Sequence, residues 1–164
     1  MYCRSDESGL CGRVIVKTYF FRKVDVRERI LDVRTLIVED DNTSQQLLAS
    51  YLEAYGPCDI ATDGVRALVA VAKALHDQQP YALICMDISM PLMDGRQALK
   101  EIRKMEQDAG IALGDGAKII MTTGRDDPKE IMGSFRDNCE AYLIKPFRKS
   151  QLVEQISKLG LLST

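Results

Sequence analysis

Tryptophan is absent from the 164 residues, histidine occurs once, and no CxxC pair occurs. His76 stands alone, and the five cysteines, Cys3, Cys11, Cys58, Cys85 and Cys139, are scattered. That pattern supplies neither zinc-ligand spacing nor a disulfide framework. Cys85 reads as a small core residue, and Cys58 and Cys139 read as ordinary thiols near strand starts. Cys3 and Cys11 share the N-terminal segment, where a labile disulfide is the alternative to two free thiols. No apolar run approaches the length of a membrane span. Met1 to Gly12 is polar and lacks the apolar core of a signal peptide, so the expected location is cytoplasmic. Basic excess is missing as well: 22 Lys/Arg stand against 24 Asp/Glu, a formal net charge of −2. No global field therefore favours direct contact with nucleic acid.

What is present is an ordinary globular composition, 46% hydrophobic and 28% charged, in a chain long enough for one sizeable core. The first 33 residues differ from the rest. They hold seven Lys/Arg against five Asp/Glu, leaving fifteen against nineteen for residues 34–164. Val14 to Phe21 is β-prone and Val24 to Leu31 suits a short helix, but the segment is too short to bury its own core. Residues 1–32 are expected to form an N-terminal extension, either a plain tail or an added strand or dimer contact. Residues 33–164 are expected to form the domain.

From Val33 the pattern is regular. Strands are expected at Val33–Val38, Cys58–Ala61, Tyr81–Met86, Ala117–Thr122 and Ala141–Ile144. Helical spacing follows each strand. The first helix has Asn42, Thr43 and Ser44 as candidate caps, turns Leu47, Leu48, Tyr51, Leu52 and Tyr55 inward, and stops at Gly56-Pro57. The second is expected to bury Val65, Leu68, Val69, Ala72 and Leu75. The third starts on Asp94 and buries Ala98, Leu99, Ile102 and Met105. The fourth runs from Pro128 to about Asn138. The last runs from about Lys149 to Leu159, with Leu152, Val153, Ile156 and Leu159 inward. Five βα units with short connections imply a doubly wound parallel sheet with helices on both faces.

The organising stretch is Leu83 to Gly95. An apolar run ends on Asp87, and Pro91 and Gly95 turn the chain. A buried strand ending on Asp presents it at the carboxyl edge of the sheet, where open α/β sheets bind ligands. Glu39 and Asp40 end the first strand, Thr123 the fourth and Lys145 the fifth. Each has an ordinary alternative: a turn former, a helix cap, a β-forming residue, a solvated strand end. Their joint placement at one edge is the signal. Carboxylates about 4 Å apart repel by roughly 4 kcal/mol per pair at an effective dielectric near 20, so the cluster calls for a cation. Hard oxygen donors with room for water suit Mg²⁺, and the lack of Cys and His at these ends disfavours soft metals. Acids, a hard cation, a lysine and a hydroxyl together suit a phosphoryl group, and an Asp carboxylate can serve as its nucleophile.

The pieces Leu36-Ile37-Val38-Glu39-Asp40, Met86-Asp87-Ile88-Ser89-Met90-Pro91-Leu92-Met93-Asp94-Gly95, Ile119-Ile120-Met121-Thr122-Thr123-Gly124 and Tyr142-Leu143-Ile144-Lys145-Pro146-Phe147 resemble the receiver domain of two-component response regulators, the CheY-like family. The resemblance covers about residues 33–160. It implies a flavodoxin-like (βα)5 fold with strand order 2-1-3-4-5. It implies that Asp87 accepts a phosphoryl group from a phosphohistidine of a sensor histidine kinase or a histidine phosphotransfer protein. It further implies that Glu39, Asp40, Asp87 and the Ser89 carbonyl hold Mg²⁺, that Lys145 bridges to the phosphoryl group, and that Thr123 switches with Tyr142. Gly124 stands where the family usually has Ala, and the loop from Gly110 to Gly116 looks long. Asp41 reads as a charge at a helix N-terminus, not as a ligand.

The expected function is that of a stand-alone receiver. Such a protein is not an enzyme beyond promoting its own phosphorylation and dephosphorylation. Its output passes to a downstream target protein, with a second copy of itself as a further candidate partner. A receiver belonging to a hybrid histidine kinase is the alternative. A Mg²⁺-dependent phosphohydrolase resembling the haloacid-dehalogenase family needs an acidic residue two positions after its nucleophile. Ser89 stands there instead.

Overall fold

The computed structural model describes residues 32–124 and 139–162. The expected strand at Val14–Phe21, the helix at Val24–Leu31, the Cys3 and Cys11 pairing and the helix from Pro128 lie outside the described residues.

Five strands, β1 (Thr35–Val38), β2 (Cys58–Ala61), β3 (Leu83–Asp87), β4 (Lys118–Thr123) and β5 (Ala141–Ile144), form one sheet. The order is β2-β1-β3-β4-β5, with every pairing parallel. Four described helices complete it: α1 (Asn42–Leu52), α2 (Gly64–His76), α3 (Gly95–Asp108) and α4 (Lys149–Lys158). Side chains alternate along each strand. Leu36, Val38, Ile84, Met86, Ile119 and Met121 pack with Ala67, Val71, Leu99 and Ile102 of α2 and α3. Ile37, Leu83, Cys85, Ile120 and Leu143 pack on the other face with Leu48 and Leu52 of α1 and Leu152 and Ile156 of α4. Each fully buried Leu or Ile contributes roughly 1.5–3 kcal/mol, so the two apolar layers hold the strand ends in register.

Two helix faces differ from the expectation. On α2 the buried residues are Gly64, Ala67, Val71 and Ala74, while Val65 and Val69 are exposed. The helix is apolar on more than one side, so spacing alone does not set its rotation. The small residues face inward because they let α2 approach closely: a Cβ on Gly64 would lie 2.7 Å from the Met93 side chain. On α1, Leu47 is likewise exposed, while Leu48 and Leu52 are buried.

The caps explain where the helices start. Asp41, one residue ahead of the expected Asn42, Thr43 and Ser44, caps α1 by accepting from the Ser44 amide at 2.7 Å. Its carboxylate can reach the third amide from an extended backbone, which Ser44 inside the first turn cannot do. Asp63 caps α2 and, as expected, Asp94 caps α3. Each cap stabilises its helix by about 1 kcal/mol. β3 and β4 run one residue further than expected, so Asp87 and Thr123 belong to the ladder itself.

Candidate functional site

The parallel register carries the ends of β1, β3, β4 and β5 to one edge. Val38 pairs with Met86, Asp87 with Thr122, and Thr123 with Ile144. The next residues on β1 and β5 are Glu39 and Lys145. Asp87 and Glu39 are both buried, and Asp40 is exposed. The Lys145 ammonium donates to Glu39 Oε2 at 2.6 Å and to Asp87 Oδ1 at 2.8 Å. One oxygen each from Glu39, Asp40 and Asp87 lie within 4.8 Å of one another.

Burial pushes the Glu39 carboxyl above its usual range, and the hydrogen bond from Lys145 offsets only part of that. Burial opposes the charge on Lys145, but its hydrogen bonds to Asp87 and Glu39 outweigh it and raise its pKa. The lysine therefore stays protonated between two carboxylates. Three acids against one ammonium still leave two negative charges in excess. A small divalent ion matches that excess, and hard carboxylate oxygens are the donors Mg²⁺ takes. The residues present fit the ion.

Thr123 is buried at the end of β4, and its hydroxyl donates to the Gly124 carbonyl at 3.2 Å rather than to an acid. Among the described residues, no atom lies within 4 Å of the position a Cβ on Gly124 would take. Tyr142 pairs with Met121, two residues before Thr123, which puts Tyr142 and Thr123 on the same face of the sheet. The Tyr142 hydroxyl is buried without an oxygen or nitrogen partner among the described residues. Burial, then the neighbouring Cys139 thiol, raises its pKa. Ser89 is exposed two residues beyond Asp87. The loop that carries it is pinned at Ile88, whose carbonyl accepts from Met90 at 3.2 Å and from Gly95 at 3.0 Å.

Thus Glu39, Asp40, Asp87 and Lys145 come together as expected, and Thr123 and Ser89 flank them. Asp41 is occupied as a cap: the Ser44 backbone amide holds its carboxyl below the usual range. Two supporting residues hold the site, of which Gln45 escaped the sequence reading and Gly95 was read only as a turn. Gln45 is buried and donates from Nε2 to the Glu39 carbonyl at 2.7 Å. Gly95 meets the strand end so closely that a Cβ there would lie 2.1 Å from the Asp87 carbonyl oxygen. The turn at Gly95 was legible in the sequence, though not its close approach to Asp87, whereas Gln45 carried no signal.

The chain matches the response regulator receiver domain over residues 35–157, and it belongs to that family of two-component signalling modules. It is 27% identical over 148 residues to histidine kinase 3 of Arabidopsis thaliana, covering 81% of this chain and 14% of that protein. It is 30% identical over 130 residues to response regulator MprA of Mycobacterium ulcerans, covering 79% and 50% respectively. The chain thus spans half or less of the length of these relatives. Among solved structures it is similar to the receiver domain of the Arabidopsis thaliana histidine kinase CKI1 complexed with Mg²⁺ and BeF3⁻. There the identity is 28% and the TM-score 0.66, covering 79% of this chain and 91% of that one.

Proposed function

We propose that Asp87 accepts a phosphoryl group from a phosphohistidine, supplied by a sensor histidine kinase or a histidine phosphotransfer protein. One observation carries this reading: Lys145 ties Asp87 to Glu39 within reach of a third carboxylate at the carboxyl edge of the sheet. Because Lys145 engages Oδ1, Oδ2 is the oxygen free among the described residues to attack phosphorus. The new bond is Oδ2–P. The P–N bond to the imidazole breaks, its electron pair returns to the nitrogen, and that nitrogen takes a proton. Lys145 neutralises charge on the carboxylate and on the incoming oxygens, where a fixed cation in a partly dry site acts strongly. Glu39, Asp40, Asp87 and the Ser89 carbonyl would hold Mg²⁺, which when bound supplies charge neutralisation to the phosphoryl oxygens. Thr123 would turn its hydroxyl from the Gly124 carbonyl to the phosphoryl group, and Tyr142 would follow on the same face.

The output under this reading is a changed surface presented to a downstream target protein or a second copy of the chain. Direct contact with nucleic acid is not part of it, in keeping with the net charge of −2. No helix among the described residues is long and apolar enough to cross a membrane, and a cytoplasmic location belongs to the same proposal. So does the division into an N-terminal extension, 1–32, and a receiver domain, 33–164. A small phosphodonor carrying labelled phosphate should label wild type in a base-labile form and leave Asp87→Asn unlabelled and folded. Equal labelling of Asp87→Asn would refute the assignment.

The similarity to histidine kinase 3 and to the CKI1 receiver favours a second reading of context, in which the domain serves a hybrid kinase. Phosphoryl return from Asp87 to a histidine phosphotransfer protein would support it. Transfer only toward Asp87 would support the response-regulator context.

A further inference from the structure

We infer that Gln45 is a positioning residue for the metal-binding turn, acting on Glu39 and Asp40 through the backbone. The inference rests on the phosphoacceptor reading above, and it adds a residue that touches neither phosphoryl group nor ion.

The acidic turn Glu39–Asp41 leaves β1 and enters α1. Its first residue is fixed on both sides. The Glu39 amide donates to the Ala61 carbonyl of β2 at 3.0 Å, and the Glu39 carbonyl accepts from Gln45 Nε2 at 2.7 Å. A carbonyl only accepts, so the amide orientation of Gln45 is unambiguous. Its last residue is fixed as well: the Asp41 carboxylate accepts from Ser44, and the Asp41 carbonyl accepts from the Gln45 amide at 2.9 Å. Gln45 therefore holds the turn at both ends, with its backbone at Asp41 and its side chain at Glu39. Between them lies Asp40, exposed, with one carboxylate oxygen inside the 4.8 Å cluster.

A glutamine is an unusual choice for a buried helix position facing an apolar layer. Leu48 and Leu52, one and two turns on along the same face, are both buried and apolar. A buried amide is costly unless it is hydrogen-bonded. The Glu39 carbonyl is the partner the structure shows for it, and six residues of sequence separate the two. Removing the side-chain donor unties the strand-end carbonyl from α1, so the turn loses one of the bonds that fix it. Groups that orient metal-binding carboxylates commonly matter to affinity by about tenfold or more.

The test compares Gln45→Met, which keeps length and volume but donates nothing, with Leu48→Ala. Leu48 is a buried residue of the same helix with no part in the turn. The full chain is titrated with Mg²⁺ alone by calorimetry, where Gln45→Met should bind about tenfold more weakly than wild type and Leu48→Ala as wild type does. It is also phosphorylated by a small phosphodonor over a Mg²⁺ series, well below the melting temperature of each variant. Gln45→Met should need about tenfold more Mg²⁺ for half-maximal rate and recover nearly the wild-type rate at saturation. Leu48→Ala should melt earlier with an unchanged Mg²⁺ requirement. Gln45→Asn, whose amide is one methylene short of the carbonyl, carries the same test if the methionine variant does not fold. An unchanged requirement in the glutamine variants, or a lower ceiling at an unchanged requirement, overturns the inference. Absence of Mg²⁺-dependent phosphorylation in wild type would instead overturn the underlying function.

Discussion

Replacing Lys145 by Met removes the cation that, among the described residues, bridges the acidic edge, and keeps most of its apolar stem. At 2.6 and 2.8 Å from two carboxylates, the gross attraction is about 6 kcal/mol per contact at an effective dielectric near 20. That is not the cost of the substitution, because the ammonium regains water when the protein unfolds. The better guide is that breaking a buried pair leaves uncompensated charge and costs about 3–5 kcal/mol. Here the lysine is 26% exposed while the Glu39 and Asp87 side chains are 2% and 6% exposed, so solvent screening at the lysine brings the expectation to about 3 kcal/mol. For a domain of this size that lowers the melting temperature by about 10 °C. The loss depends on pH with a definite sign. Burial already raises the Glu39 pKa, and Lys145 opposes that shift. A raised carboxyl favours folding below its unfolded value and loses that contribution as pH rises through the folded value. Without the lysine the folded value rises further, so the deficit should be larger at pH 7 than at pH 5. Thermal melts in chelator at the two pH values check this. Mg²⁺ should then raise the melting temperature of the variant more than that of wild type, since the cluster carries one more negative charge. A variant melting within about 2 °C of wild type at pH 7 in chelator would refute the reasoning.

Two further outcomes follow from the same structure. The Tyr81 hydroxyl, donating to Asp59 at 2.8 Å, holds that carboxyl below its ordinary range. A depressed carboxyl stabilises above its unfolded pKa and loses that contribution as pH falls through its folded value. Tyr81→Phe should therefore flatten the acid limb of stability in urea titrations below about pH 4, and an unaltered slope would count against the pairing. Thr123→Ala should still accept label on Asp87, while beryllofluoride no longer shifts the Tyr142 ring resonances. A full Tyr142 response without the hydroxyl would show that the coupling runs elsewhere.

The parallel sheet and the edge where chemistry collects were legible because each rests on a local signal, whereas the strand order came only through the family resemblance and is the one the sheet adopts. Apolar runs of strand length ended on Glu39, Asp87, Thr123 and Lys145, and alternation with helices forced them parallel. The rotation of α2 was not legible. Val65 and Val69 score as core residues by hydrophobicity, yet Ala67 and Val71 are buried. Small residues take the inward positions, and at Gly64 the start of the helix comes so close to Met93 that a Cβ would lie 2.7 Å from its side chain, a distance no spacing rule contains. The cap of α1 was missed for a related reason: three cap-forming residues follow Asp41, and only the backbone shows which one is extended.

The same distinction separates the charged groups of the site from what holds them. Carboxylates and a lysine at strand ends stand out because they are costly there without a purpose. Gln45 does not stand out, since its bond to Glu39 exists only after α1 has folded back along β1. The charges also bear on the proposed phosphoryl transfer to Asp87 and on the ion it would use. Before transfer, three carboxylates and Lys145 leave two negative charges. A phosphoryl group adds about two negative charges near pH 7, while the Asp87 carboxylate loses its own on becoming an acyl group, so the excess rises to about three. Lys145 already spans Glu39 and Asp87 and cannot offset the increase alone. A divalent cation brings the balance to about one negative charge. Under that proposal the turn carrying Asp40 must stay where β1, the Asp41 cap and Gln45 place it, so a Mg²⁺ requirement of phosphorylation would follow the geometry of that turn.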